Sequence, residues 1–169
     1  MKVRMADSNP EMIEFNIELA PVANYNNQPN DLTMNWKMLS GFDMGKTFWT
    51  DENGLEMTPR KLENNSNTTQ SSISNNFVPV TSAIAVRDQR AGSNIQITVM
   101  NDRTQAGSAG NSDGNTIELM QHRRIPTVDR KSPNLDEMNS WNDKGIKVYA
   151  RYFMQIFDTK LGHSLQRQQ

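Results

Sequence analysis

The sequence predicts an all-β chain, an antiparallel β-sandwich, on three observations: apolar and polar residues alternate in several short segments, turn signals separate those segments, and no stretch has a helical repeat. The first alternating segment sets Ile13, Phe15, Ile17 and Leu19 against Glu14, Asn16 and Glu18. The second sets Leu32, Met34, Trp36 and Met38 against Thr33, Asn35 and Lys37. Residues two apart on a strand share a face, so both segments have one apolar and one polar side. An Asn/Pro-rich loop over 24–30 joins them.

A short strand around 47–50 then enters Asp51-Glu52-Asn53-Gly54, where Asn-Gly accepts the positive φ of a hairpin turn. Leu55 and Met57 begin the return strand. Segment 61–76 holds few apolar residues beyond Leu62 and Ile73 and is expected to be a long, disordered loop. The run Phe77–Val86 is apolar or small almost throughout, as in a strand buried on both faces, with Pro79 tolerable near its start. Next, Ile95, Ile97 and Val99 on one side and Ile117, Leu119 and Gln121 on the other flank a Gly/Ser/Asn loop. They read as a β-hairpin whose strands run into Asp102-Arg103 and His122-Arg123-Arg124. After an irregular polar segment, 126–144, the run Ile146–Phe157 is apolar on both faces. Its β-branched and aromatic residues favour a strand, with a buried helix as the alternative.

At 169 residues, the chain 1–169 is expected to be a single sandwich domain or part of one. With 35% hydrophobic residues and a mean hydropathy of −0.76, its core must be thin or shared. A net charge of −1 from 18 basic and 19 acidic residues supplies no field of one sign, which argues against nucleic-acid binding. No run is long enough to span a bilayer, and MKVRMADSNPEM lacks the apolar stretch of a signal peptide, so a cytosolic or truncated chain is expected. The absence of cysteine removes disulfides and thiolate chemistry. Asparagine clusters read as compositional bias in loops. Asn64-Asn65-Ser66 and Asn67-Thr68-Thr69 fit the N-glycosylation pattern and matter only in a secretory protein.

Catalytic groups are not expected. Catalysis by a nucleophilic carboxylate with an acid/base partner needs two carboxyl groups roughly 5 Å apart. Asp51/Glu52 and Asp136/Glu137 are sequence neighbours, which on a strand point to opposite faces, and they read as solvated turn residues. The two histidines, His122 and His163, are far apart and have no acids spaced for ligation, so no metal site is expected. Gly92, Gly107, Gly110 and Gly114 are assigned to turns, and Met34, Met38 and Met57 to inward core positions. One constellation stands out: Asp102, Arg103, His122, Arg123 and Arg124. Arginine forks suit recognition of hydroxyls and carboxylates, and a structural ion-pair network at a domain interface is the alternative.

The order Asp-Arg, Thr-Gln, small-Gly-Ser, Asp-Gly, Glu-Leu-Met, His-Arg-Arg across 102–124 resembles a signature of the class II α-mannosidases, glycoside hydrolase family 38. Phe48–Met57 with Arg60 is similar to that family's Phe-Tyr-Thr-Asp-Ser-Asn-Gly-Arg-Glu-Met segment, with Glu52 and Leu55 in place of Ser and Arg. Asn76–Ile84 resembles its Asn-Tyr-Tyr-Pro-Val-x-Ser-Ala-Ile strand, and Phe153–Thr159 its terminal strand. The family's acidic Asp-Asp-x-Arg-Gly segment appears here only as Val128-Asp129-Arg130-Lys131-Ser132, without the second Asp and the Gly.

The resemblance implies part of a galactose-mutarotase-like sandwich, the C-terminal β-region of an α-mannosidase. The zinc and nucleophile would lie in a separate catalytic barrel domain that this chain lacks, and that domain and mannose-containing glycans would be the partners. By the same resemblance Arg130 is the nearest match to an arginine reaching the sugar pocket, and a lysosomal, vacuolar or secretory compartment is implied. A stand-alone carbohydrate-binding module using Trp36, Trp49 or Trp141 is a competing reading, although the alternation places Trp36 in the core. A third is the product of an incomplete gene that does not fold.

Overall fold

The structure, a computed structural model, describes residues 1–6, 9–22, 30–38, 40–51, 53–62, 76–110, 115–125 and 145–160. These contain eleven strands and no helix: β1 (Lys2–Ala6), β2 (Asn9–Leu19), β3 (Asn30–Lys37), β4 (Thr47–Asp51), β5 (Met57–Lys61), β6 (Val78–Val80), β7 (Ala83–Arg87), β8 (Ile95–Asn101), β9 (Gln105–Ala109), β10 (Thr116–Arg124) and β11 (Val148–Asp158). They form a seven-stranded sheet, in the order β1-β2-β11-β8-β7-β4-β5, and a four-stranded sheet, β3-β10-β9-β6. Every pairing is antiparallel. The expected all-β sandwich is therefore the architecture observed.

Between the sheets lie Ile17, Phe48, Ile84, Val86, Ile97, Val99 and Tyr152 from the larger sheet and Trp36, Val80, Ile117 and Leu119 from the smaller. The two alternating segments read from sequence are β2 and β3. They face each other across this core: the Trp36 ring meets Phe15 edge-on at 6.2 Å and Tyr152 at 5.0 Å. Edge-to-face packing of this kind adds to the apolar burial itself. Trp36 is 7% exposed, as its alternation implies.

Three expectations are corrected. Phe77–Val86 is not one strand: β6 belongs to the small sheet and β7 to the large one, with the chain crossing between them at Thr81-Ser82. Pro79 cannot donate to a ladder, and β6 accordingly pairs on one side only, with β9. Likewise β8 and β10 do not form a hairpin. β8 pairs with β7 and β11, and the small residues read as a loop supply β9, which pairs with β10. Gly107 sits inside β9 rather than in a turn, because a Cβ there would come within 2.5 Å of Leu119 Cδ2 and 2.8 Å of Val80 Cγ2. Finally, Met57 pairs with Asp51 in the phase of Trp49, opposite to the inward Phe48 and Thr50, so it is not core filler. Met34 and Met38 do pack against the core, and the most buried methionine is Met44.

The β4–β5 hairpin is where Asn-Gly placed it, with a longer turn. Gly54 has φ +77°, its amide donates to Asp51 Oδ1 at 2.6 Å, and the Leu55 amide donates to Asn53 Oδ1 at 3.0 Å. Ile146–Phe157 is represented by β11, a strand and not a helix. The expected disordered loop lies, over 63–75, outside the described residues.

Gly107→Ala should destabilise the chain by about 1–3 kcal/mol, the usual cost of overfilling a packed site. A fall in the urea midpoint at unchanged slope is the expected outcome; an unchanged midpoint would show that β9 does not pack this closely.

Candidate functional site

The rim residues are positioned by β8, β9 and β10. After β8 the chain turns at Asp102-Arg103, held by the Asn101 side chain, whose Nδ2 donates to the carbonyls of Val80 (3.2 Å), Thr81 (3.3 Å) and Arg103. Asp102 accepts from Arg103 Nε at 3.1 Å and from the Arg151 backbone amide at 3.0 Å. It thus ties the turn to β11.

On β10 a bulge between Met120 and His122 resets the strand's alternation. Ile117 and Leu119 face the core opposite Trp36 and Met34. Beyond the bulge His122 pairs with Leu32 and Arg124 with Asn30, in the same phase as those inward residues. Arg124 is consequently buried, 6% exposed, and donates to the Val22 carbonyl at 2.8 Å. Arg123 points to the outer face and grips Asp31 of β3 with both arms, Nε–Oδ1 2.5 Å and Nη2–Oδ2 2.9 Å. That carboxylate raises the guanidinium's pKa.

Close in sequence to each half of the predicted cluster is a glutamine that meets Tyr152. Its hydroxyl lies 2.5 Å from Gln121 Oε1 and 2.9 Å from Gln105 Oε1, two residues beyond Arg103 and one before His122. Each glutamine's Nε2 donates to a β10 carbonyl, Gln105 to Met120 at 2.8 Å and Gln121 to Leu119 at 3.1 Å. Both amide oxygens are thereby turned toward the phenol. Burial pushes the Tyr152 pKa up, and a phenolate would face two acceptors. Asp102 and Arg103 bond to one another, and Arg123 and Arg124 have separate partners, so the ion pairs are distinct. Sequence reading missed both glutamines and the bulge; polar residues at inward positions of β9 and β10 were the only signal. Arg130 and His163 lie outside the described residues.

Three further described carboxylates also hold the fold. Asp51, expected to be a solvated turn residue, is instead buried at the end of β4, where it accepts from the Gly54 amide and the Ser82 hydroxyl. Asp88 is gripped by Arg90 at 2.5 Å, and that guanidinium holds its carboxyl well below the usual range. Glu18 is lowered by Lys147, 2.8 Å away. Among the described residues no three His, Cys, Asp or Glu side chains converge as a metal site would require. No helix of the described residues is long and apolar enough to cross a membrane.

Residues 10–131 match the family model described as the glycosyl hydrolases family 38 C-terminal domain. The chain belongs to that family. Its relatives include the lysosomal alpha-mannosidase of Felis catus, 40% identical over 82 residues, which are 46% of this chain and 7% of the relative. The lysosomal alpha-mannosidase of Homo sapiens is 33% identical over 130 residues, 72% of this chain and 12% of the relative. A protein of Arabidopsis thaliana named probable alpha-mannosidase is 26% identical over 153 residues, 86% of this chain and 14% of the relative. The family 38 chain therefore spans a small fraction of these relatives' length. What it matches is the C-terminal domain, and the family's zinc belongs to the catalytic domain.

Two outcomes check this geometry. Arg124→Ala should cost about 2 kcal/mol or more, since a buried donor and its packing are lost. Arg123→Ala, in a pair 51% and 38% exposed, should cost at most about 1 kcal/mol in urea unfolding. The reverse order would contradict the bulge. Because the folded Tyr152 pKa lies above its unfolded value near 10.0, its contribution is complete below that pH and is lost as pH rises beyond it. In a phenolate absorbance titration Tyr152 should ionise above the usual tyrosine range, and Tyr152→Phe should remove that component together with the alkaline loss of stability.

Proposed function

We propose that this chain is the scaffolding β-domain of an α-mannosidase that removes terminal α-mannose from glycans, and that it carries no bond-cleaving group of its own. The observation that carries the proposal is the family 38 C-terminal match over residues 10–131 together with the use of the described carboxylates. Asp31, Asp51, Asp88, Asp102 and Glu18 each hold an arginine, a lysine, a serine or a backbone amide in place. A retaining mechanism requires two carboxyl groups facing one sugar from roughly 5 Å apart, one of them free to accept a proton. Carboxylates locked in ion pairs and turn hydrogen bonds are poorly suited to either role.

In this reading Asp102, Arg103, His122, Arg123 and Arg124 shape the rim of the sandwich, and Arg130 is a further candidate by the family resemblance alone. The single domain 1–169 would act beside a catalytic domain that holds zinc, with mannose-bearing glycans as the substrate of the whole. The relatives' names, lysosomal alpha-mannosidase among them, support that assignment.

An assay of the purified chain on an aryl α-mannoside, with zinc added, is expected to show no turnover above background. Turnover that disappears on replacing Asp51 or Asp102 by Asn, with the fold intact by circular dichroism, would overturn the proposal.

A further inference from the structure

On the outer face of the seven-stranded sheet one exposed arginine is held in place by buried neighbours without being neutralised by a described acid. Phe48, Val86 and Ile97 face the core, so their sequence neighbours Thr47, Trp49, Arg87, Gln96 and Thr98 face outward. The Arg87 guanidinium lies over the Trp49 ring, 4.7 Å from its centroid. Its Nε donates to Gln96 Oε1 at 2.8 Å, and Gln96 Nε2 donates in turn to Thr98 Oγ1 at 3.1 Å. Gln96 and Thr98 are 3% and 5% exposed, whereas Arg87 itself is exposed. Stacking and a buried amide thus fix the plane of the guanidinium while engaging only one of its three nitrogens, and the Nη pair enters no ion pair with a described carboxylate. The described acids nearby are committed elsewhere: Asp88 to Arg90, Asp43 to the Gly45 amide, and Asp51 to Gly54 and Ser82.

We propose that Arg87, Lys61 and Thr47 form a binding site for a tetrahedral oxyanion, phosphate or sulfate, carried free or as the ester of a sugar. The register sets the three side by side. Thr47 of β4 pairs with Lys61 of β5, and the pairing of Phe48 with Val86 puts Thr47 beside Arg87 of β7. Neighbouring strands lie about 5 Å apart, so the two cations stand about 10 Å apart at their backbones with a hydroxyl between them. Two long side chains close that gap onto one shared anion. Like charges brought to one face repel, and an anion between them turns the repulsion into attraction. The donor set also selects the anion's shape. The Nη fork supplies two parallel donors in one plane, while the ammonium and the hydroxyl approach from other strands. A tetrahedral oxyanion satisfies donors from several directions, and a planar carboxylate, with two oxygens, does not.

The test titrates the full chain with sodium phosphate, glucose 6-phosphate, sodium acetate and sodium chloride at matched ionic strength, following the Arg87 Nε–H and Trp49 Nε1–H resonances by NMR. Phosphate and glucose 6-phosphate should shift both resonances saturably, and acetate and chloride should not. Tighter binding of the ester would identify a sugar phosphate as the ligand, and equal binding would identify the ion itself. Arg87→Lys keeps the charge and loses the fork, so phosphate binding followed at Trp49 should weaken about ten-fold. Lys61→Ala should weaken it about three-fold, and both exposed positions should leave the circular dichroism unchanged. Three results would each overturn the proposal: no saturable shift, as when another acid of the chain already holds the fork; acetate binding as well as phosphate; or phosphate affinity unchanged in Arg87→Lys.

Discussion

The contact between Trp36 and Tyr152 is the constraint from which the rest of this sandwich is arranged. Trp36 is the widest side chain on the small sheet and Tyr152 lies at the middle of β11, the strand between β2 and β8. Their rings set the spacing of the layers at that point. The Tyr152 hydroxyl passes through the apolar layer to two glutamines on β9 and β10. A buried phenol with satisfied partners fixes one registration of the sheets, whereas a purely aliphatic layer tolerates sliding. The rim residues adjoin the same point, because Gln105 follows the Asp102-Arg103 turn and Gln121 precedes His122 on β10.

How much of this was legible in the sequence depended on whether one strand or several decided the matter. Period-two alternation located β2 and β3, and Asn53-Gly54 located the β4–β5 turn, because each signal is local. The assignment of strands to sheets was not local. Phe77–Val86 reads as one apolar run, yet Asp51 draws the Thr81 amide to its carbonyl at 2.6 Å and divides the run between layers. β9 was hidden because Gly107 and Ser108 have little strand preference of their own. Gly107 is selected by the closeness of Leu119 and Val80. The bulge near Gln121 turns Arg124 inward and Arg123 outward, and no residue type announces a bulge. Of the charged rim read from sequence, Asp102 pairs with Arg103, Arg123 with Asp31, and Arg124 bonds the Val22 carbonyl.

The charges serve architecture. Asp102 links a turn to β11, Asp31 and Arg123 clamp β3 to β10, and Arg124 reaches the carbonyl at Val22 just after β2. Exposed pairs of this kind add little stability each, so their value lies in fixing where strands end. The family resemblance seen in four sequence blocks and the match over residues 10–131 point to the same region of the same family.

The central claim is that the two sheets form one cooperative body pinned at Trp36 and Tyr152. Residue-resolved native-state hydrogen exchange tests it most directly, because subglobal units reveal themselves by separate opening energies. The account expects the slowest amides of β10 and of β8 and β11 to share one opening free energy, and to fall together in Tyr152→Phe. A four-stranded sheet whose amides exchange independently of the seven-stranded one, with Tyr152→Phe affecting only one layer, would contradict it.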